Sequence, residues 1–543
     1  MVEYRMSVKA ELVLLYVDDD NTGGPWDGAS EHPYENITSA LEHAIDGDTI
    51  LVRSGTYYEN VVVNKSVSLI GEDRNSTIVD GGENGSVVSI TIDNVSIEGF
   101  TIMRSGMGLY DSGIFVEHSS GNDISNNIMI NNYNGISFYS SSGNAVSGNT
   151  IRNNYNGISF YSSSGNAVSG NTITSNNEGI RLYYSSNGNV VSGNTIRNNY
   201  NGISFYFSSG NAVSGNTIRN NYNGISFYSS SGNAVSGNTI TSNNEGIYLA
   251  FHSASNIIYC NNFNNTHQVW SDSTNIWNDG SKGNYWSDYN GTDDDQDGIG
   301  ETPYIINENN KDKYPLMGMF SDFRFIFNEE THHVNVISNS TIADFRFEIG
   351  QETGNKMISF NATGEGGSVG FCRVMIPIEL MNYSYIVLVG MEKIFPTRLN
   401  GTSETYDYLY FTYIQNNHTI TIISSETLYL YYELLDKYIR LETDLYDLNA
   451  TYRELLNNYT DFLTNYSDSL INCSELQKSH QQLNNSYQEF LLDYSKKVNN
   501  IQNLMYILAA TTAIFIITTI YLSRSAHAGK SKVFQEGRKK RTP

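Results

Sequence analysis

The chain has 543 residues and a net charge of −25, too long for one ordinary core and too acidic for a nucleic-acid partner, which needs clustered Lys and Arg. Its three cysteines, Cys260, Cys372 and Cys473, stand far apart in sequence. That excludes a disulfide framework and a CxxC zinc pair, so folding rests on packing.

In chain order, residues 1–15 contain an apolar stretch of about six residues and no convincing signal peptide. Residues 16–319 then read as one repeat domain. Between about Gly113 and Phe263 the phrase GISFYSSSGNAVSGNTIRNNYN recurs, with its isoleucine at Ile114, Ile136, Ile158, Ile180, Ile203, Ile225 and Ile247, in steps of 22 residues and one of 23. A unit this short, with paired apolar residues and no helical period, fits one coil of a parallel β-helix with three brief strands. Alternation along each strand points Phe138, Phe160, Leu182, Phe205 and Phe227 inward as one ladder and Val146, Val168, Val191, Val213 and Val235 as another. The equally regular asparagines, such as Asn144, Asn166 and Asn189 or Asn149, Asn171 and Asn194, read as amide ladders at turns, not as chemistry.

Outside the ladders the tyrosines carry the binding signal. Tyr139, Tyr161, Tyr183, Tyr206 and Tyr228 recur at one position, and Tyr133, Tyr155, Tyr200 and Tyr222 at another. Such strips suit sugar rings, though stacked tyrosines also stabilise a solenoid by touching one another. Between Ile124 and Ala250 the carboxylates are Glu178 and Glu245, three coils apart, hence roughly 14 Å and too far to act as a hydrolytic pair. Arg152, Arg197 and Arg219 line a matching position and read as solubilising charges. Catalytic carboxylates, if there are any, belong to the N-terminal cap, where Asp18, Asp19, Asp20, Asp46, Asp48, Glu59 and Asp80 fall together.

Two segments outside the coils carry a family resemblance: the opening YVDDDNTGGPWDGASEHPYENITSALEHAIDGDTILVRSGTYYENVVVNKSVSLIGEDRNSTIVDG, and the closing GNYWSDYNGTDDDQDGIGETPYII from Gly283 to Ile306. Over Tyr16 to Met317 the chain resembles the NosD-like extracytoplasmic proteins, part of a wider set found in carbohydrate-binding proteins and sugar hydrolases. The closing segment is similar to that of archaeal surface proteins. The resemblance implies a right-handed parallel β-helix but leaves activity open, because that fold hosts binding modules as well as lyases, hydrolases and epimerases. It also brings copper delivery to mind, but copper needs Cys, Met or His, and His118, His252 and His267 are isolated in sequence. No copper is expected. Calcium fits better: Asp293, Asp295 and Asp297 followed by Gly298 repeat the start of a calcium loop, with Glu301 or backbone carbonyls completing a structural site.

Residues 320–427 alternate apolar and polar in runs such as FRFIF, ADFRFEIG and YLYFTYI, which predicts an antiparallel β-sandwich. Within it, His332 and His333 read as a strand surface. Residues 428–503 follow heptads through Leu441, Leu448, Leu455, Tyr452, Tyr459, Tyr487 and Tyr494, predicting a long coiled-coil stalk and a homo-oligomer. Residues 504–522, LMYILAATTAIFIITTIYL, predict one transmembrane helix in contact with the lipid bilayer. The basic tail 523–543 would then lie in the cytoplasm, with the bulk outside. N-x-S/T sequons such as those at Asn36, Asn264, Asn361 and Asn449 agree with a glycosylated exterior. The expectation is a membrane-anchored surface β-helix that binds glycan or envelope polymer. The alternatives are a polysaccharide-modifying enzyme and a structural spacer.

Overall fold

The computed structural model describes residues 13–351, 354–381, 384–399, 405–424, 426–466 and 473–525. The N-terminal segment before Val13 and the basic tail from 526 lie outside them. The chain divides into two units, one of residues 1–346, 359–383 and 387–421 and the other of residues 347–358, 384–386 and 422–543.

The first unit begins with a right-handed parallel β-helix whose three faces are sheets of eleven, ten and eleven strands. Successive coils pair in register, so Asn134–Tyr139 lies on Asn156–Tyr161 with Ile136 opposite Ile158 and Phe138 opposite Phe160. Both inward ladders are fully buried. Phe138 stacks on Phe160 at 4.8 Å and Phe205 on Phe227 at 4.7 Å; each such side chain contributes about 1.5–3 kcal/mol by leaving water. Coils come so close that a Cβ on Gly157 would stand 2.4 Å from the Gly179 carbonyl oxygen, so the residue before each isoleucine must be glycine.

The asparagine ladders are structural. The backbone N–H and the amide of Asn171 both donate to Asn194 Oδ1, at 2.9 and 3.0 Å, and Asn194 repeats the arrangement on Asn216. Turn amides that a coil would otherwise bury unpaired are satisfied by the next coil.

Both ends are covered, which protects the sheet edges from further strand addition. Helix α1 (Ile37–His43) packs Ile37, Ala40 and Leu41 over the first coil. Its N-terminus is capped by Asn36, whose Oδ1 accepts from the Ser39 N–H. At the far end Trp277 and Trp286 are buried and Tyr304 stacks on Trp286 at 4.3 Å. The amide ladders end on Asn310 and Asp312: Asn275 N–H donates to Asn310 Oδ1 at 2.9 Å and Asn284 N–H to Asp312 Oδ2 at 2.7 Å.

Two five-stranded sheets follow, made from strands between Met319 and Ser424. In the first, Met319–Phe327 pairs antiparallel with Glu330–Ser338, which pairs with Val369–Pro377. Val334, Val336, Cys372, Val374, Leu409 and Phe411 are among its buried side chains.

The helical region corrects two expectations. One continuous stalk over 428–503 is replaced by helices α2 (Glu426–Tyr466) and α3 (Cys473–Ser525). Tyr452 stacks on Tyr487 at 4.8 Å and Tyr459 on His480 at 5.6 Å, so the two helices run antiparallel. Residues of the heptad seam thus meet within one chain and do not require a second copy.

The second correction concerns residues 504–522. Among the described residues no helix is long and apolar enough to cross a membrane, so the expected transmembrane helix does not stand. The apolar run is the end of a helix begun in polar sequence. The Thr511 hydroxyl bonds back to the Ile507 and Leu508 carbonyls.

Candidate functional site

The ten-stranded face of the solenoid carries both tyrosine strips. One lies at the end of each long strand and the other at the corner just before it, so together they border the outer face of strands such as Asn156–Tyr161 and Asn201–Tyr206. Tyr139 and Tyr161 stack at 5.2 Å, Tyr206 and Tyr228 at 4.7 Å. In the corner strip Tyr133 stacks on Tyr155 at 5.0 Å, and Tyr200 on Tyr222 at 4.9 Å with the rings 3° apart. Rings stacked in this way cover each other's faces and leave their edges to solvent. Over most of their length the strips therefore act as ladders.

The coil of residues 177–184 interrupts both strips, and that of residues 244–251, which reads NEGIYLAF, ends them. Residues 177–184 read NEGIRLYY where the neighbouring coils read YNGISFYS or YNGISFYF. Asn177 replaces the corner tyrosine, so Tyr155 and Tyr200 are separated by two strand spacings, about 9.6 Å. Each keeps one face free toward the gap; they are 49 % and 53 % exposed, and Asn177 between them is exposed. In the other strip Tyr183 turns to 58° from Tyr161 and 75° from Tyr206. Arg181 lies over the Tyr183 ring at 4.3 Å and the Tyr206 ring at 5.5 Å.

Glu178 forms the floor beside the gap. It is buried, its Oε1 accepts from Asn201 Nδ2 at 2.8 Å, and its Oε2 accepts a very short bond from the Ser204 hydroxyl. Burial raises its pKa above the ordinary carboxylate range, against the opposing pull of Ser204, Asn201 and Arg181. Burial likewise pushes the Tyr228 phenol up to about 12. Glu178 and Glu245 are three rungs apart through Asn201 and Asn223, as the spacing predicts, and Glu245 lies 3.1 Å from His267 Nδ1 instead. Sequence reasoning passed over the Glu178–Arg181 coil because it weighed each strip as a whole. The signal was the local departure from the repeat.

The cap carboxylates act as braces. Asp18 pairs with Arg53 at 2.8 Å and Asp80 with Arg104 at 2.7 Å. Asp48 accepts from the Val13 and Ile45 N–H groups, and Glu59 accepts from Ile37 and Thr38 at the start of α1. Arg152, Arg197 and Arg219 lie on a different face from the tyrosines, in register with Thr174 and Thr241.

In the closing segment Asp293, Asp295 and Asp297 bring one carboxylate oxygen each within 4.8 Å of the others. Asp293 also accepts from the Asp297 and Gly298 N–H groups, at 2.8 and 2.9 Å. Burial, and then the neighbouring carboxylates Asp297 and Glu301, raise the pKa of Asp293 and Asp295. This is a hard-oxygen donor set that a divalent cation would relieve. Glu301 lies outside the group, its Oε1 taken by the Asp294 and Asp295 N–H groups. Arg373 holds the loop to the antiparallel sheets through the Asp297 carbonyl at 2.8 Å and its carboxylate at 3.1 Å.

Residues 93–291 match the sequence model of the family NosD, described as periplasmic copper-binding protein. The solenoid is NosD-like. A cell surface glycoprotein of Methanothermus fervidus is 35 % identical over 96 residues, 17 % of this chain and 15 % of that protein; the chain thus spans about 15 % of the length of the curated relative it matches. Among solved structures, the A-module of the Azotobacter vinelandii mannuronan C-5 epimerase AlgE4 is similar at TM-score 0.37 and 14 % identity, covering 49 % of this chain and 95 % of that one. The pectate lyase Pel9A is similar at 0.36 and 17 %, covering 49 % and 80 %. Among the described residues no three His, Cys, Asp or Glu side chains within 93–291 bring ligand atoms within 4.8 Å of one another. Cys260 is buried with its thiol pushed up to about 12, so it holds its proton.

Proposed function

We propose that this is a cell-surface protein whose β-helix binds glycan chains, and that the binding site is the slot between Tyr155 and Tyr200 over Asn177 and Glu178. The interrupted corner strip carries this reading: it is where the regular tyrosine ladder gives up a ring and leaves two aromatic faces opposite each other. A sugar held there would stack on both rings, with Arg181, Tyr183 and Tyr206 meeting its neighbours along the chain. The Methanothermus surface glycoprotein and the many sequons support a place on the cell exterior. Calcium in the Asp293–Asp297 loop would hold the closing segment over the open end of the solenoid.

A polysaccharide-modifying enzyme is the second reading, favoured by one observation: Glu178 is a buried carboxyl with a raised pKa, in the same groove as Arg181 and Tyr206. A buried carboxyl is the kind of group that serves as a general acid. With no second carboxylate at its side, glycoside hydrolysis by a carboxylate pair is not part of this reading. Screening the full chain on an array of glycans and envelope polymers, while assaying released product, tests both. Retention without product supports a binding module, product release supports an enzyme, and neither would leave a structural spacer.

A further inference from the structure

We propose a second metal site, for a divalent first-row transition cation, at His332, Glu330 and Glu379 in the antiparallel sheets. The three residues bring one ligand atom each within 4.8 Å of the others. Their meeting follows from the sheet. The ladder between Glu330–Ser338 and Val369–Pro377 is paired from Ser338–Cys372 to Asn335–Met375. Past it the second strand reaches Pro377, whose carbonyl accepts from the Leu380 and Met381 N–H groups at 3.0 and 3.1 Å. That turn carries Glu379 to the end of the first strand, where Glu330 and His332 share one face.

The second observation concerns the imidazole. His332 is only 5 % exposed, packed near the rings of Phe325 at 5.9 Å and Phe327 at 6.1 Å. Its Nδ1 is buried and makes no hydrogen bond. Glu379 Oε1 is 3.4 Å away, close enough for an ion pair but not placed to accept a hydrogen bond from the ring. A buried nitrogen left in this state has lost its water without gaining a partner, which is unfavourable. A cation sitting between Nδ1 and the two carboxylates would remove that cost. Tetrahedral metal–ligand bonds of about 2.0–2.2 Å place ligand atoms about 3.3–3.6 Å apart, so small side-chain rotations suffice, and Glu330 and Glu379 are exposed enough to make them.

The donor set decides the metal class. One imidazole and two carboxylates suit zinc, cobalt or nickel, whereas calcium prefers oxygen alone. Three protein ligands leave further positions for water. The site therefore differs in kind from the all-carboxylate loop at Asp293, Asp295 and Asp297, which the softer cations would not prefer.

The test is a titration of the full chain with Zn²⁺ by calorimetry in excess Ca²⁺, repeated with Co²⁺ to follow its visible absorption. One Zn²⁺ per chain is expected, with an imidazole-shifted Co²⁺ spectrum. His332→Asn should lower affinity at least about a hundredfold, more than loss of an outer-shell partner. Because His332 is buried, Glu379→Gln serves as the second variant: its side chain is exposed, so the fold should be retained, and affinity should still fall more than about tenfold. Binding unchanged in Glu379→Gln, no binding in excess calcium, or a Co²⁺ spectrum of oxygen ligands alone would each overturn the proposal.

Discussion

Asn156 Oδ1 faces Glu178 one coil away and, although buried, receives no hydrogen bond. Along this row each amide donates back to the preceding coil, Asn156 to Asn134 at 2.8 Å, Asn201 to Glu178 at 2.8 Å and Asn223 to Asn201 at 2.7 Å. Position 178 owes Asn156 a donor, and only a protonated carboxyl can supply one. Its raised pKa is consistent with that state. For an acid whose folded pKa lies above the unfolded one, stability is greatest at low pH and is lost as pH rises through the folded value. Glu178→Gln completes the ladder at every pH. It should melt at or above the wild-type temperature at neutral and alkaline pH, the difference closing on acidification; a lower melting temperature at neutral pH would contradict this.

Asp312 gives a second pH dependence with a defined window. It is buried at the end of an amide ladder, and burial pushes its carboxyl up to about 6 from 3.8, against donors from Asn284, Trp286 and Tyr314. The folded state thus binds the proton more tightly than the unfolded chain does. Its contribution is fully present below pH 3.8 and lost as pH rises through about 6, a change on the order of 3 kcal/mol. Asp312→Asn should flatten the fall in melting temperature between about pH 4 and 6. An unaltered profile would assign that dependence elsewhere.

The two kinds of asparagine should respond oppositely to alanine. Asn194 Oδ1 accepts from Asn171 twice, and its amide donates to the Val168 carbonyl at 2.9 Å. Asn194→Ala leaves buried donors unpaired and should destabilise by on the order of 3 kcal/mol. Asn177, exposed in the slot, should change stability by less than about 0.5 kcal/mol. Thermal melting of the two variants side by side checks this, and equal effects would refute the distinction.

Calcium should raise the melting temperature in proportion to the logarithm of its concentration once the loop saturates. Asp295→Asn removes one member of the carboxylate group and should abolish most of the shift. A full shift retained in that variant would place the cation elsewhere.

Much of the solenoid was legible because a 22-residue period fixes which residue lies above which: Phe138 over Phe160 and Val146 over Val168 need no tertiary information. The strips of tyrosine were legible too, but not their meaning. Whether a ring presents its face or its edge depends on its neighbour in the next coil, which a recurring letter does not reveal. The heptads showed that helices pair but not with what: α3 returns along α2, so that Tyr452 meets Tyr487 in the same chain. His332 was invisible as a ligand because Glu379 reaches it only through the turn after Pro377.

The most direct test of the binding site is Asn177→Tyr, which restores the repeat and fills the slot between Tyr155 and Tyr200 without touching either. A glycan identified on the array is titrated against the wild-type and variant chains by calorimetry, with melting temperatures recorded in parallel. The slot account requires a variant at least as stable as the wild type that has lost binding by more than about tenfold, a difference above 1.4 kcal/mol. Undiminished binding by a folded variant would contradict it and return the tyrosines to a purely structural role.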